Sequence, residues 1–201
     1  MKVELLQHSD LKICAHAIRT CWQSFDKSDA GGEKDRDLID RVGNKFKHAS
    51  TLEHLTYTFY ISGVSRALLQ ELARHRMASP SVKSTRYTLK ELKECGENID
   101  YNKFLVFTGI SSVDDASKVA LDNLQKILLD GVSNDKAKYC LPESYKTELT
   151  WTINARSLQN FISLRSSKAA LWEIRDLSQK LFDILPDEHR YLFNSCIDNE
   201  D

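Results

Sequence analysis

The stretch Tyr145-Lys146-Thr147-Glu148-Leu149-Thr150-Trp151-Thr152-Ile153 alternates along its whole length, with Tyr145, Thr147, Leu149, Trp151 and Ile153 facing one way and Lys146, Glu148, Thr150 and Thr152 the other. A period of two, built from aromatic and β-branched residues, predicts a half-buried strand. Asn154 then stands where a helix needs its N-cap. In that helix Leu158, Phe161 and Ile162 recur at inward positions, while Arg156 and Asn160, four apart, share another face. With the elements read on either side of it, this strand and helix set the expected fold. It is α+β, a single domain over residues 1–201 with a central, mostly antiparallel sheet flanked by helices.

Working outward, Lys2 to Leu6 reads as a strand leading into a helix from Leu11 to Trp22, capped by Asp10, with Leu11, Cys14, Ala15, Ile18, Cys21 and Trp22 at helical spacing. The polar loop from Ser24 to Glu33 contains Gly31-Gly32, and a second helix from Asp35 to Lys47 places Leu38, Ile39, Val42 and Phe46 on one stripe. Thr56 to Ile61 alternates as a strand with Tyr57, Phe59 and Ile61 on one face, and Ser65 can cap the helix that follows. That helix is expected to deliver Arg74 and Arg76 at its C-terminal turn before Pro80 ends it. Residues 95–114 carry little signal beyond the apolar run Phe104 to Phe107. A helix from Ala116 to Asp130 shows Val119, Ala120, Asn123, Leu124, Ile127 and Leu128, with Gly131 just past its end. A short helical turn at Asp135 to Tyr139, a last helix from Lys168 to Leu185 and an acidic C-terminus complete the chain.

With 201 residues, 41% of them apolar, the chain can build a real core, and its net charge of -1 argues against a general nucleic-acid binder, which normally shows a basic face. No stretch is long and apolar enough to cross a membrane, nothing resembles a signal peptide, and a cytoplasmic location is expected. The five cysteines, Cys14, Cys21, Cys95, Cys140 and Cys196, form no C-x-x-C pair and read as buried or inert thiols.

Against that neutral background, the thirteen residues Arg74-His75-Arg76-Met77-Ala78-Ser79-Pro80-Ser81-Val82-Lys83-Ser84-Thr85-Arg86 hold four fixed cations, a histidine, four hydroxyls and no acid. Guanidinium forks match phosphate oxygens, and small hydroxyl residues complete such a cradle, so the segment reads as an anion site. None of the seven glycines forms a dinucleotide or P-loop fingerprint, so side chains must neutralise any bound phosphates. The plainer alternative is that cations at a helix C-terminus complement the macrodipole. It accounts for one or two of the charges. Ser84 has no nucleophile elbow around it and reads as a hydrogen-bonding hydroxyl. Ser50-Thr51-Leu52-Glu53 matches a capping box. His48 and His54 lack clustered partners, and no metal site is expected. Arg156, Asn160 and Arg165 form a polar stripe on an otherwise apolar helix. The residues by themselves imply binding of a phosphorylated small molecule; a nucleotide-sensing or RNA-binding module is the non-enzymatic alternative.

Arg74-His75-Arg76 followed by Ser84, Arg86 and Tyr87 resembles the signature of the flavin-dependent thymidylate synthases. Upstream, His48-Ala49-Ser50-Thr51-Leu52-Glu53-His54 is similar to that family's histidine-to-glutamate-histidine segment. Downstream, Asn154-Ala155-Arg156-Ser157-Leu158-Gln159-Asn160-Phe161 and Leu164-Arg165 resemble its second block. The resemblance implies reductive methylation of dUMP to dTMP, with 5,10-methylenetetrahydrofolate as carbon donor, FAD as redox cofactor and NADPH as reductant, in a homotetramer whose sites combine several subunits. It implies FAD contacts from Ser50, Arg74, His75, Arg76, Val82, Asn154, Ala155, Arg156 and Asn160. Around the nucleotide it places Glu71, Leu72, Ala73 and Arg74, then Val82, Lys83, Ser84, Thr85 and Arg86, with Lys138 and Arg165. His48 would lie near flavin and folate, and Arg165 would hold the uracil and favour its ionisation at N3. No covalent nucleophile is expected. The chain departs from the family pattern at Ser81, at Val82, which leaves only a backbone contact there, and at Lys138, a point charge where arginine is common.

Overall fold

The computed structural model describes residues 1–96 and 98–197; the expected acidic C-terminus falls largely outside them. Four strands, β1 (Lys2–His8), β2 (Thr56–Ser65), β3 (Ala78–Val82) and β4 (Lys146–Asn154), form one sheet in the order β1-β2-β4-β3. At one end of the central pair the Ala155 N–H donates to Leu55 O at 2.8 Å, and at the other the Arg66 N–H donates to Tyr145 O at 3.1 Å. Residue numbers rise on β2 as they fall on β4, so the pair is antiparallel. This is the expected α+β class.

Two compact units share the chain: one holds Met1–Lys2, Ser62–Leu72 and Ser81–Leu149, the other Val3–Ile61, Ala73–Pro80 and the residues from Thr150 onward. The core of the second unit is built as the alternation requires. Tyr57, Phe59 and Ile61 of β2 and Trp151 and Ile153 of β4 are buried, joined by Leu11, Cys14, Ala15 and Ile18 of the helix Leu11–Thr20. Leu158, Phe161 and Ile162 of the helix Ala155–Arg165, and Ile174, Leu177 and Leu181 of Trp172–Asp183, complete it. Each such side chain contributes roughly 1.5–3 kcal/mol on burial. In the same unit Asp35, wholly buried, accepts from Arg19 Nη2 at 2.6 Å and Nε at 3.1 Å, while Ser28 Oγ and the Gly31 N–H serve its other oxygen. Burial opposes the charge on Asp35, but these hydrogen bonds outweigh it and hold the carboxyl below the usual range.

In the first unit the helix Ser111–Leu129 packs Leu121, Leu124 and Leu128 with Leu89, Leu92, Phe104, Leu105 and Tyr145. Gln125 is buried with them; its amide donates to Gly96 O at 2.7 Å and Leu92 O at 3.1 Å. A satisfied amide costs little inside. Counting it as polar shifts the expected stripe, which is why Val119, expected inward, is 57% exposed and Asn123 is exposed too.

Other expectations change for equally local reasons. The first helix stops at Thr20, and the turn through Gln23, whose φ is 51°, leaves Cys21 and Trp22 exposed. The second helix is α only over Glu33–Ile39, then widens to a π-helix over Asp40–Lys45. There Gly43 lies so close to Leu52 that a Cβ would meet Leu52 Cδ2 at 2.7 Å. The wider turn breaks the 3.6-residue stripe, and Phe46 points out. The helix after β2, capped by Ser65 Oγ accepting from the Leu68 N–H, ends at Leu72 and does not reach Arg74. The chain turns at Ala73 and Arg74 and enters β3, a strand not expected from sequence. Pro80 is tolerated because β3 is an edge strand. The apolar run after Tyr101 is a short helix, Tyr101–Phe104, followed by a bridge from Leu105 to Tyr145. The last long helix begins at Trp172, not Lys168. Of the thiols read as buried or inert, Cys21 and Cys140 are exposed and Cys95 is half-buried. Among the described residues no helix is long and apolar enough to cross a membrane.

Candidate active site

The second unit carries an open cavity of about 800 Å³ lined by Glu53, Arg74, His75, Arg76, Met77, Arg156, Ser157, Asn160, Leu164 and Arg165. Its residues come from three local structures. Arg74 to Met77 form the segment before β3, with Arg74 and Arg76 exposed on either side of a half-buried His75. Glu53 lies in the 3₁₀ turn Ala49–His54, and Arg156, Ser157, Asn160, Leu164 and Arg165 lie on the helix Ala155–Arg165. That helix starts where the sequence says it should: Asn154 Oδ1 accepts from the Ser157 N–H at 2.8 Å. The cap sets the phase that turns Leu158, Phe161 and Ile162 inward and Arg156, Asn160 and Arg165 toward the cavity.

Packing fixes the orientation of the imidazole and one guanidinium. Trp151 meets Phe161 edge-on with centroids 5.2 Å apart, and Phe161 meets His75 the same way at 4.8 Å. His75 Nε2 then accepts from Arg165 Nε at 3.0 Å. That bond needs a lone pair on Nε2, so the ring proton sits on Nδ1. The guanidinium plane of Arg165 is thereby set by a ring that is itself set by the core. Arg156 Nη1 donates to Glu53 Oε1 at 2.7 Å. Four guanidiniums against one carboxylate make the cavity strongly electropositive, suited to a multiply charged anion.

The structure thus brings together Arg74, His75, Arg76, Arg156, Asn160 and Arg165, with Asn154 as cap and Ala155 buried beneath. His48 and Ser50 are exposed at the 3₁₀ turn of the same unit and do not line this cavity. Thr51 donates to the His48 carbonyl at 2.9 Å, so the capping-box reading of Ser50 to Glu53 is replaced by a 3₁₀ turn, and Glu53 turns to Arg156 instead. Glu53, Met77, Ser157 and Leu164 were not expected to line a site. For Glu53 the signal was present but could be satisfied by a helix cap. Glu71, Leu72, Val82, Lys83, Ser84, Thr85, Arg86 and Lys138 belong to the first unit, and Ala73 to the second. No cysteine lines the cavity, and burial pushes the Cys14 thiol up to about 12, which keeps it protonated.

The family model described as thymidylate synthase complementing protein matches residues 4–189. A curated relative from Wolinella succinogenes, named flavin-dependent thymidylate synthase, is 68% identical over 205 aligned residues, covering 100% of both chains. One of the same name from Campylobacter jejuni is 65% identical over 98% of both. A crystal structure of Thymidylate Synthase X from Helicobacter pylori with FAD and dUMP superposes with a TM-score of 0.91 at 54% identity, over 98% of this chain and 100% of that one. With this coverage and identity over almost its whole length, the chain belongs to the flavin-dependent thymidylate synthases.

Proposed function

We propose that this chain forms dTMP from dUMP by reductive methylation, using FAD, with 5,10-methylenetetrahydrofolate as carbon donor and NADPH as reductant, and that residues 1–201 work as one catalytic domain. The observation that carries the reading is the Arg165 guanidinium held by His75 in a cavity lined by three further arginines. These residues fit a dinucleotide: a diphosphate needs several forked donors where no glycine turn is available, and Arg74, Arg76 and Arg156 offer them. Asn160 and the backbone of Asn154 to Arg156 would complete that grip. The bound flavin supplies the redox step, which no side chain here can perform.

The protein's own residues bind, orient and stabilise charge. Arg165 would face the uracil and lower the cost of negative charge at N3, an effect strongest where water is excluded. Its Nε is tied to His75, so the charge is preorganised before substrate arrives. Glu71 to Arg74, Val82 to Arg86 and Lys138 would surround the nucleotide, with His48 nearer the folate and Ser50 and the Val82 backbone at the flavin. In this reading activation comes from positioning and electrostatics rather than covalent attack. A homotetramer sharing its sites is part of the same reading. So is a cytoplasmic location.

The test is direct. Purified protein is expected to show flavin absorbance perturbed by dUMP, and to couple NADPH oxidation to folate-dependent formation of dTMP. Protein that binds flavin but leaves dUMP unmethylated under those conditions sinks the reading.

A further inference from the structure

In the first unit the basic segment is held from three directions. The Lys83 N–H donates to Glu148 O on β4 at 2.9 Å, and the Lys83 ammonium lies 3.4 Å from Glu91 Oε1 and 3.6 Å from Glu148 Oε1. At the other end, Asn134 Nδ2 donates to the Arg86 carbonyl at 2.8 Å. Between these anchors, Thr88 Oγ1 and the Tyr87 and Thr88 N–H groups all converge on the Ser84 carbonyl, closing a tight helical turn.

The chemistry of the two kinds of cation differs. An ammonium is a point charge with three donors, and two carboxylates within 4 Å leave it little to offer a phosphate. Its four-carbon stem also spans from the segment to both the β4 strand and the helix Lys90–Glu94, which carries Glu91. We propose that Lys83 is a positioning residue rather than a ligand of the nucleotide: with Glu91, Glu148 and Asn134 it braces the turn that presents the Ser84 hydroxyl and the Arg86 guanidinium. The proposal rests on the reading that Val82 to Arg86 receives dUMP, and it leaves the side-chain contacts of that segment to Ser84, Thr85 and Arg86.

The experiment uses the full-length flavin-loaded enzyme with Lys83→Met, Lys83→Arg, and the paired Glu91→Gln/Glu148→Gln variant. Two readouts are taken: amide hydrogen exchange across residues 83–87, and steady-state kinetics with dUMP varied. Lys83→Met and the paired glutamine variant are both expected to speed exchange across the turn and to raise KM for dUMP about tenfold with kcat within about twofold. Combining them should add little, and Lys83→Arg should restore both readouts. Unchanged exchange in both variants overturns the brace. So does a raised KM in Lys83→Met with an unchanged or lowered KM once the carboxylates are neutralised, because that is the pattern of a direct phosphate ligand. Faster exchange in a protein whose unmodified form does not methylate dUMP would instead reject the functional reading and leave the brace standing.

Discussion

Arg74 and Lys83 belong to one thirteen-residue basic stretch, yet the fold uses them in opposite ways. Arg74 and Arg76, with Arg156 and Arg165, line a cavity in which Glu53 is the sole lining carboxylate. Lys83 lies between two carboxylates, and its charge is consumed by structure. Arg19 is the limiting case, 6% exposed and bound through two nitrogens to a buried Asp35. A run of positive charge in a sequence therefore does not predict a ligand for each member. Lys83, placed between Glu91 and Glu148, and Arg19, closed against Asp35, are cations whose carboxylate partners tie them into the fold.

The comparison is sharpest at its extremes. Asp35→Ala strands the Arg19 guanidinium in the core and is expected to destabilise the protein by about 3–5 kcal/mol in urea unfolding. An ordinary melting curve for that variant would mean that the pair is not the anchor described here. Arg165→Ala removes the charge that the proposed function sets against the uracil, so turnover should fall on the order of a hundredfold or more while thermal stability stays close to that of the parent. Full activity in that variant would break the distinction between the two classes of arginine.

Histidines divide in the same way. His75 presents Nε2 to Arg165, whereas His189 is 1% exposed with Nδ1 2.8 Å from the Tyr57 hydroxyl, which burial keeps protonated. Burial, reinforced by neighbouring His8, pushes His189 down to about 4 from 6.5. The unfolded chain then takes up a proton first as pH falls. Stability should be full above about pH 6.5, decline toward pH 4 by on the order of 2 kcal/mol, and level off below. Unfolding titrations of the parent and His189→Gln would check it, since the variant should lose that slope. The smallest effect belongs to Glu53→Gln at the exposed pair with Arg156: stability should change by less than about 1 kcal/mol, with flavin held as tightly or more so. A large loss of stability would move that pair into the class of Arg19 and Asp35.

Much of this was legible before folding. The alternation from Tyr145 to Ile153, the Asn154 cap and the inward Tyr57, Phe59 and Ile61 all follow from the sequence pattern, and the Arg74 to Arg76 cluster, read as an anion site, lines the cavity with Arg156 and Arg165. Periodicity failed where a residue of the wrong polarity was buried, as with Gln125, or where the helix changed pitch, as at Gly43. It failed again at β3, because Ser79-Pro80-Ser81 carries no strand propensity and is held there by its neighbour β4. Glu53 could not be assigned from sequence, since a helix cap and an ion pair one hundred and three positions away ask for the same residue.

Pro80 carries a consequence for the protein's life in a crowded solution. The Lys83 N–H points toward β4, so by the alternation of an antiparallel ladder the backbone nitrogen of Pro80 points outward from the sheet edge. There a hydrogen-bearing nitrogen would offer a docking rail to any stray extended chain. The pyrrolidine ring removes that rung, so this edge of the sheet is less able to zip onto another peptide.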